Sequence, residues 1–325
     1  MGPRQCSQDA RKRRTRLEET VIVDLPDTTV SKVSKKLSKL RQEGGVVALG
    51  RVLTLVIQTD FRRIEEVVEA ANASSRTHPA RVIVVADEVD VPGEARLDAQ
   101  IRVGGDAGAS EVVILRAYGA LAQSLNGLVG GLLLPDAPIV VWWPNSCPDA
   151  PAESDLGQIA TRRISDTDSA NQADPQDTQT VGQYYQPGDG DMAWTRLTLW
   201  RSQLASLFDR VSDKKIEKVE IIGSALSPSA DLLAAWFRVK LGVPTNISRK
   251  HKGRNVLGIG GVKIHYEGGE LKMMRSAEVA KIKQTGMPSA SILLPRRSVV
   301  DCLVEEMRFM GPDETYAEIL KGGFR

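Results

Sequence analysis

The stretch Val52–Ala86, VLTLVIQTDFRRIEEVVEAANASSRTHPARVIVVA, decides the fold. Val52 to Ile57 is rich in β-branched residues and reads as a buried strand. Ile64, Val67, Val68 and Ala71 then fall on one face of a helix, and Arg81 to Ala86 (RVIVVA) reads as a second buried strand. Strand, helix and strand in this order predict a parallel pair with a helical crossover.

Upstream, Asp27-Thr28-Thr29 supplies N-cap residues, and Val30, Val33, Leu37 and Leu40 recur at helical spacing until Gly44-Gly45 stops the helix. Downstream, Arg96 to Val103 alternates strictly, with Leu97, Ala99, Ile101 and Val103 on one face. That pattern predicts a half-exposed, antiparallel strand. Glu111–Leu115 and Ala137–Trp143 read as further strands, and Ala120–Leu134 as a helix. From Ser165 to Asp191 the chain carries six aspartates and no Lys or Arg, which predicts an acidic linker or surface loop over 166–191. Trp194, Leu197, Trp200, Leu204, Leu207 and Phe208 then mark one long helix.

A second α/β pattern follows. It has a strand at Val219–Ile222 and a helix from Pro228 to Leu241. Short strands come near 245–248, 256–266 and 271–274, the last two joined in a hairpin at Glu267-Gly268-Gly269-Glu270. A strand at Ser291–Leu294 and helices after Arg297 and Pro312 close the chain. The expected architecture is therefore α/β with two α/β domains. The first, 21–165, is a mainly parallel sheet flanked by helices; the second, 192–325, is a smaller mixed-sheet domain.

Hydrophobic residues make up 42% of the 325 positions and the formal net charge is only +2, which excludes a disordered chain. The longest apolar run, Leu128–Trp143, is broken by Pro135, Asp136 and Pro138, so membrane insertion is not expected. Residues 1–20 read as a basic disordered tail; a nucleic-acid arm and a native start at Val21 are alternative readings. Three cysteines, Cys6, Cys147 and Cys302, imply no disulfide framework and suit a reducing cytoplasm.

The site chemistry is read mostly by elimination. Three histidines and three cysteines lie far apart, with no CxxC pair and no HExxH helix, so no metal site is expected. Neither GxxxxGK[ST] nor a strand-to-helix GxGxxG occurs, and there is no GxSxG elbow, so no cofactor and no catalytic residue is assigned. Gly104–Ser110 reads as a glycine turn, with an anion cradle as the alternative, and Gly258–Gly261 as a bend or bulge. The basic run Arg249–Arg254 lacks interleaved aromatics, so no nucleic-acid partner is expected from it. Because Trp and Arg dominate interface hot spots, Trp142, Trp143, Trp194, Arg196, Trp200 and Arg201 are the candidate protein contacts, with an interdomain role as the alternative. Cys147 and Cys302 are the candidate redox thiols.

Several strings carry a resemblance. VIVDLPDTT (21–29), HPARVIVVA (78–86), LLLPDAPIVVWWP (132–144), RRISD (162–166), DMAWTRLTLWR (191–201) and SADLLAAWFRVKLGV (229–243) resemble the glucose-6-phosphate dehydrogenase assembly protein family, OpcA. The resemblance implies a non-catalytic accessory protein that binds glucose-6-phosphate dehydrogenase, promotes its assembly and raises its activity in the oxidative pentose phosphate pathway. Photosynthetic relatives are linked to redox control through cysteines, but no matching motif surrounds Cys147 or Cys302. The competing reading is an α/β enzyme or ligand-binding protein with a nucleotide or sugar-phosphate site at the sheet edge.

Overall fold

The computed structural model describes residues 21–44, 51–87, 94–104, 111–168, 182–224, 227–248, 250–251, 254–255 and 258–324. The basic tail 1–20, residues 105–110 of the glycine turn, and residues 249, 252 and 253 of the basic run lie outside them. The chain divides into two compact units: one runs to Pro144 and adds Ala152–Ile164 and Met307–Met310, and the other takes Asn145–Pro151, Ser165–Glu306 and Gly311–Arg325.

The first unit contains β1 (Val21–Leu25), α1 (Val30–Gly44), β2 (Leu53–Thr59), α2 (Ile64–Ser75), β3 (Ala80–Asp87), β4 (Arg96–Val103), β5 (Glu111–Tyr118), α3 (Leu125–Val129), β6 (Ile139–Trp143) and β7 (Arg162–Ser165). These strands lie side by side in the order β1-β4-β5-β3-β2-β6-β7. β5, β3, β2 and β6 are parallel, and β1 and β4 are antiparallel additions. Leu55–Ile57, Val82–Ala86, Val112–Leu115 and Val140–Val141 are fully buried, as expected of parallel strands covered on both faces. Ile64, Val67, Val68 and Ala71 form the buried stripe of α2, so the decisive βαβ stretch folds as its pattern predicts.

The helix expected over Ala120–Leu134 is not one helix. It is a 3-10 segment at Gly119–Gln123, the five-residue α3, and another 3-10 turn at Gly130–Leu132. Gly127, Gly130 and Gly131 raise the cost of continuous helix, and the apolar run packs instead through Leu125, Leu128, Val129 and Leu132.

The second unit holds β8 (Asp189–Asp191), α4 (Met192–Thr195), α5 (Thr198–Phe208), β9 (Ile216–Gly223), α6 (Pro228–Leu241), β10 (Thr245–Ser248), β11 (Lys250–His251), β12 (Arg254–Asn255), β13 (Ile259–Tyr266), β14 (Gly269–Ser276), β15 (Val279–Gln284), β16 (Ala290–Leu293), α7 (Val299–Arg308) and α8 (Glu314–Gly322). Its six-stranded sheet runs β10-β9-β13-β14-β15-β16, with only β9 and β10 parallel. The hairpin at Tyr266–Gly269 is present, and a register shift between Ile259 and Gly261 makes the predicted bulge. α6 begins with Pro228 and ends at Gly242 (φ 64°), the asymmetric punctuation its sequence announces.

The long helix expected from Trp194 to Phe208 is broken into α4 and α5. In a continuous helix the Thr195 carbonyl would accept from residue 199; here Arg297 Nη1 donates to it at 2.8 Å. One face of the six-stranded sheet supplies Val219, Ile221, Val262, Ile264, Leu271, Met273 and Ile282 to a core shared with Trp194, Leu204, Leu233 and Phe237 from the helices.

Candidate functional site

In an open parallel sheet, ligands enter beyond the carboxyl ends of the strands, where neighbouring connections leave in opposite directions. In the first unit that place lies between β2 and β6, and side chains bridge it. Trp143 Nε1 donates to Gln58 Oε1 at 2.8 Å, and Gln58 Nε2 donates to Asp87 Oδ2 at 2.8 Å. Burial raises the Asp87 pKa, against the Gln58 hydrogen bond that lowers it.

Dinucleotide phosphates need an uncluttered helix start after β2. Here Asp60 caps the turn by accepting from the Arg62 amide at 2.8 Å, and Glu65 and Glu66 occupy the first turn of α2. Glu65 accepts from both terminal nitrogens of Arg102, at 2.7 and 2.6 Å. Three carboxylates at this helix start do not fit a dinucleotide. Gly104 (φ 83°) and Glu111, which bracket the glycine turn, lie where the parallel strand β5 begins, the opposite edge from the crevice.

The second unit gathers a buried polar cluster. Arg196 grips Asp166 with both terminal nitrogens, Nη2 at 2.8 Å. Burial works against the Arg196 charge, but the Asp166 carboxylate outweighs it and holds the guanidinium pKa above its ordinary value. Asp168 accepts from Ser229 Oγ at 2.6 Å, and burial raises its pKa. Asp191 caps α4 by accepting from the Ala193 amide at 2.8 Å and takes the Thr167 hydroxyl and amide. Thr195 donates to Glu306, Thr198 donates to Glu305 at 2.7 Å, and Arg297 pairs with Glu305 at 2.5 Å. Asp166, Asp189 and Asp191 are thus buried, not parts of a surface linker as expected; capping and Arg196 compensate their desolvation.

Asp191 is fully enclosed, and burial lifts its pKa to about 7. An unfolded aspartate titrates near ~3.9, so between roughly pH 4 and 7 the native state holds the extra proton. Its contribution to stability falls as pH rises through that window and levels off above it, by up to about 1.4 kcal/mol per pH unit. Asp191→Asn, which can still accept from the Ala193 amide, is expected to flatten that decline in urea titrations; an unchanged slope would show that Asp191 is ionised throughout.

The interface candidates fall differently. Trp142 and Trp143 are each 1% exposed, Trp194 2% and Trp200 3%, so these four indoles are core residues and present no surface to a partner. Trp194 donates to Asp313 Oδ2 at 2.8 Å, stacks on Tyr316 and carries Arg201 over its ring at 3.6 Å. Burial lowers the Arg201 pKa to about 10, opposed by Asp313 and Glu305. Arg196 is committed to Asp166. Hot-spot statistics describe residues at a surface, and the local pattern could not say which tryptophans reach one.

Cys147 and Cys302 are buried thiols. Burial, with Asp191 and Asp189, pushes the Cys147 thiol well up, and burial pushes Cys302 up to about 12. Both therefore disfavour the thiolate that disulfide exchange requires. Among the described residues no group of three or more His, Cys, Asp or Glu could hold a metal ion. No helix among them is long and apolar enough to cross a membrane.

The buried cluster escaped the sequence reading because its cation, Arg196, lies 30 residues from Asp166. The available signal was the pair of strings RRISD and WTRLTLWR, each joining a charge to apolar residues.

Fold and site together define a two-unit α/β protein whose polar groups are largely tied into pairs and helix caps. Two family models match in sequence order: the glucose-6-phosphate dehydrogenase subunit N-terminal domain over residues 71–182, and the corresponding C-terminal domain over 187–320. The chain belongs to the OpcA family of glucose-6-phosphate dehydrogenase assembly subunits. No curated protein matches significantly. Among solved structures it is similar to biliverdin reductase from Synechocystis sp. PCC 6803 in complex with biliverdin and NADP+. That match has 9% identity and a TM-score of 0.42, covering 84% of this chain and 96% of that one. It is also similar to a probable oxidoreductase, yhhX, with 7% identity and a TM-score of 0.43, covering 83% and 94%. At these values no argument about activity follows from either likeness.

Proposed function

We propose that the protein is a non-catalytic accessory subunit that binds glucose-6-phosphate dehydrogenase in the cytoplasm, promotes its oligomeric assembly and raises its activity. It thereby supports the oxidative pentose phosphate pathway. The observation that carries this reading is the match of both assembly-subunit domains, in order, across residues 71–320. The bridged crevice and the carboxylates at the start of α2 support it, because they leave the place where a dinucleotide would enter occupied by protein groups.

An accessory protein activates by binding the active conformation of its enzyme more tightly than the inactive one. Couplings of this kind are typically about 1–3 kcal/mol, or roughly 5–150-fold in affinity. Titrating the protein into the dehydrogenase of the same cell, with kinetics and light-scattering mass measured together, tests the reading. A rise in kcat/KM with a larger particle is expected; unchanged kinetics and unchanged mass overturn it.

A further inference from the structure

The six-stranded sheet of the second unit has a second face, turned away from its helices. Its register writes charge across the strands. Glu220, Lys263, Lys272 and Lys283 are successive neighbours on β9, β13, β14 and β15, and Lys218, His265 and Glu270 form the next row. Met274, Lys281 and Ser291 form a third row, and Ser276, Val279 and Leu293 a fourth.

The rows named here carry five lysines against two glutamates. Lys263 pairs with Glu220 at 3.1 Å and Lys272 pairs with Glu270. Lys218, Lys281 and Lys283 are exposed, with no ion pair among the described residues. Lys272 stands directly opposite Lys283, an arrangement that repels across strands. At the sheet margin Val279 is 45% exposed and its cross-strand partner Leu293 69% exposed, which puts an apolar pair beside the charge.

We propose that this lysine-lined sheet face, with Val279 and Leu293 at its margin, is the surface that docks an acidic face of the dehydrogenase. The inference rests on the accessory-subunit reading above. Charge complementarity selects the occupant: a carboxylate-bearing surface relieves the Lys272–Lys283 repulsion and meets the unpaired lysines. A second copy of this chain would bring lysine rows against lysine rows. Nucleic acid is disfavoured because the rows named here contain no Phe, Tyr or Trp on which bases could stack and interpose Glu220 and Glu270 among the cations.

The test compares binding of the full chain and two charge-reversed variants to the dehydrogenase at low and high ionic strength. Lys281→Glu with Lys283→Glu changes two exposed side chains of the face. Lys32→Glu, Lys35→Glu and Lys39→Glu on the exposed side of α1 make the control. Wild type and control are expected to bind alike and to weaken as salt rises. The sheet variant is expected to bind about tenfold more weakly at low salt, a gap that closes at high salt. Lys281→Arg with Lys283→Arg is expected to retain binding.

Equal binding by wild type and sheet variant overturns the face while leaving the accessory reading intact. Wild type that fails to bind overturns the accessory reading and this face with it. A change in the protein's own oligomeric state caused by the sheet variant assigns the face to a second copy and overturns the proposal. Tight binding of a single-stranded oligonucleotide, lost in the same variant, overturns it in favour of nucleic acid.

Discussion

Replacing Arg196 by alanine is expected to destabilise the second unit by about 3 kcal/mol. Asp166 has only 4% of its side chain exposed and would keep a buried carboxylate without its bidentate partner. Breaking a buried pair from one side typically costs about 3–5 kcal/mol, and the lower end applies because Arg196 itself is 21% exposed. The loss should spread to Asp168, whose carboxylate the same guanidinium also stabilises. Arg196→Lys should lose part of the effect, since a single ammonium cannot span both oxygens in a fork. The double change Asp166→Leu with Arg196→Met should recover most of it, because it leaves no orphaned charge. Urea denaturation gives the size, and faster hydrogen exchange at α4 and α5 amides gives the location. A loss below about 1 kcal/mol would class the pair with surface ion pairs instead.

Glu111→Gln is expected to cost the first unit about 3–5 kcal/mol. The carboxylate is 1% exposed and meets three guanidinium groups: Arg41, with Nε at 2.6 Å, Arg51 at 2.7 Å and Arg81 at 3.3 Å. Removing its charge would leave three cations together at the start of β5. Two of them, Arg51 and Arg81, are only 12% and 6% exposed. Burial already lowers the Arg51 pKa, with Glu111 opposing that shift, so the variant removes its main support. Exchange should accelerate at amides of β3 and β5 while those of α4 and α5 hold, the reverse of the Arg196 result. Uniform acceleration across both units would contradict this assignment.

Periodicity carried the fold where one residue's neighbours on a face settle its fate. Val52–Ala86, the hairpin at Glu267-Gly268 and the capped α6 were legible for that reason. It failed where distant groups intervene. Arg297 reaches the Thr195 carbonyl from 102 positions away, at the point where a helix that reads as continuous divides in two. Asp166 reads as solvated because its cation lies in the following motif. The tryptophans read as contact residues, yet stacking with Tyr316 and the hydrogen bond to Gln58 bury them. The lysine face was legible in principle from the alternation at Lys281 and Lys283, but the pairing with Lys272 and Lys263 needs the register.

The placement of β2 at the centre of its sheet has a consequence for biosynthesis. Its neighbours β3 and β6 enter the chain at very different times, because β6 follows the end of β2 by about eighty residues. At translation speeds of roughly 5–20 residues per second, one edge of the apolar strand Leu53–Thr59 waits several seconds on the ribosome for its partner. During that interval an open, uncharged strand edge is a template for pairing with other nascent chains. Yield of this protein in a foreign host should therefore rise with chaperones that hold extended apolar segments until β6 emerges.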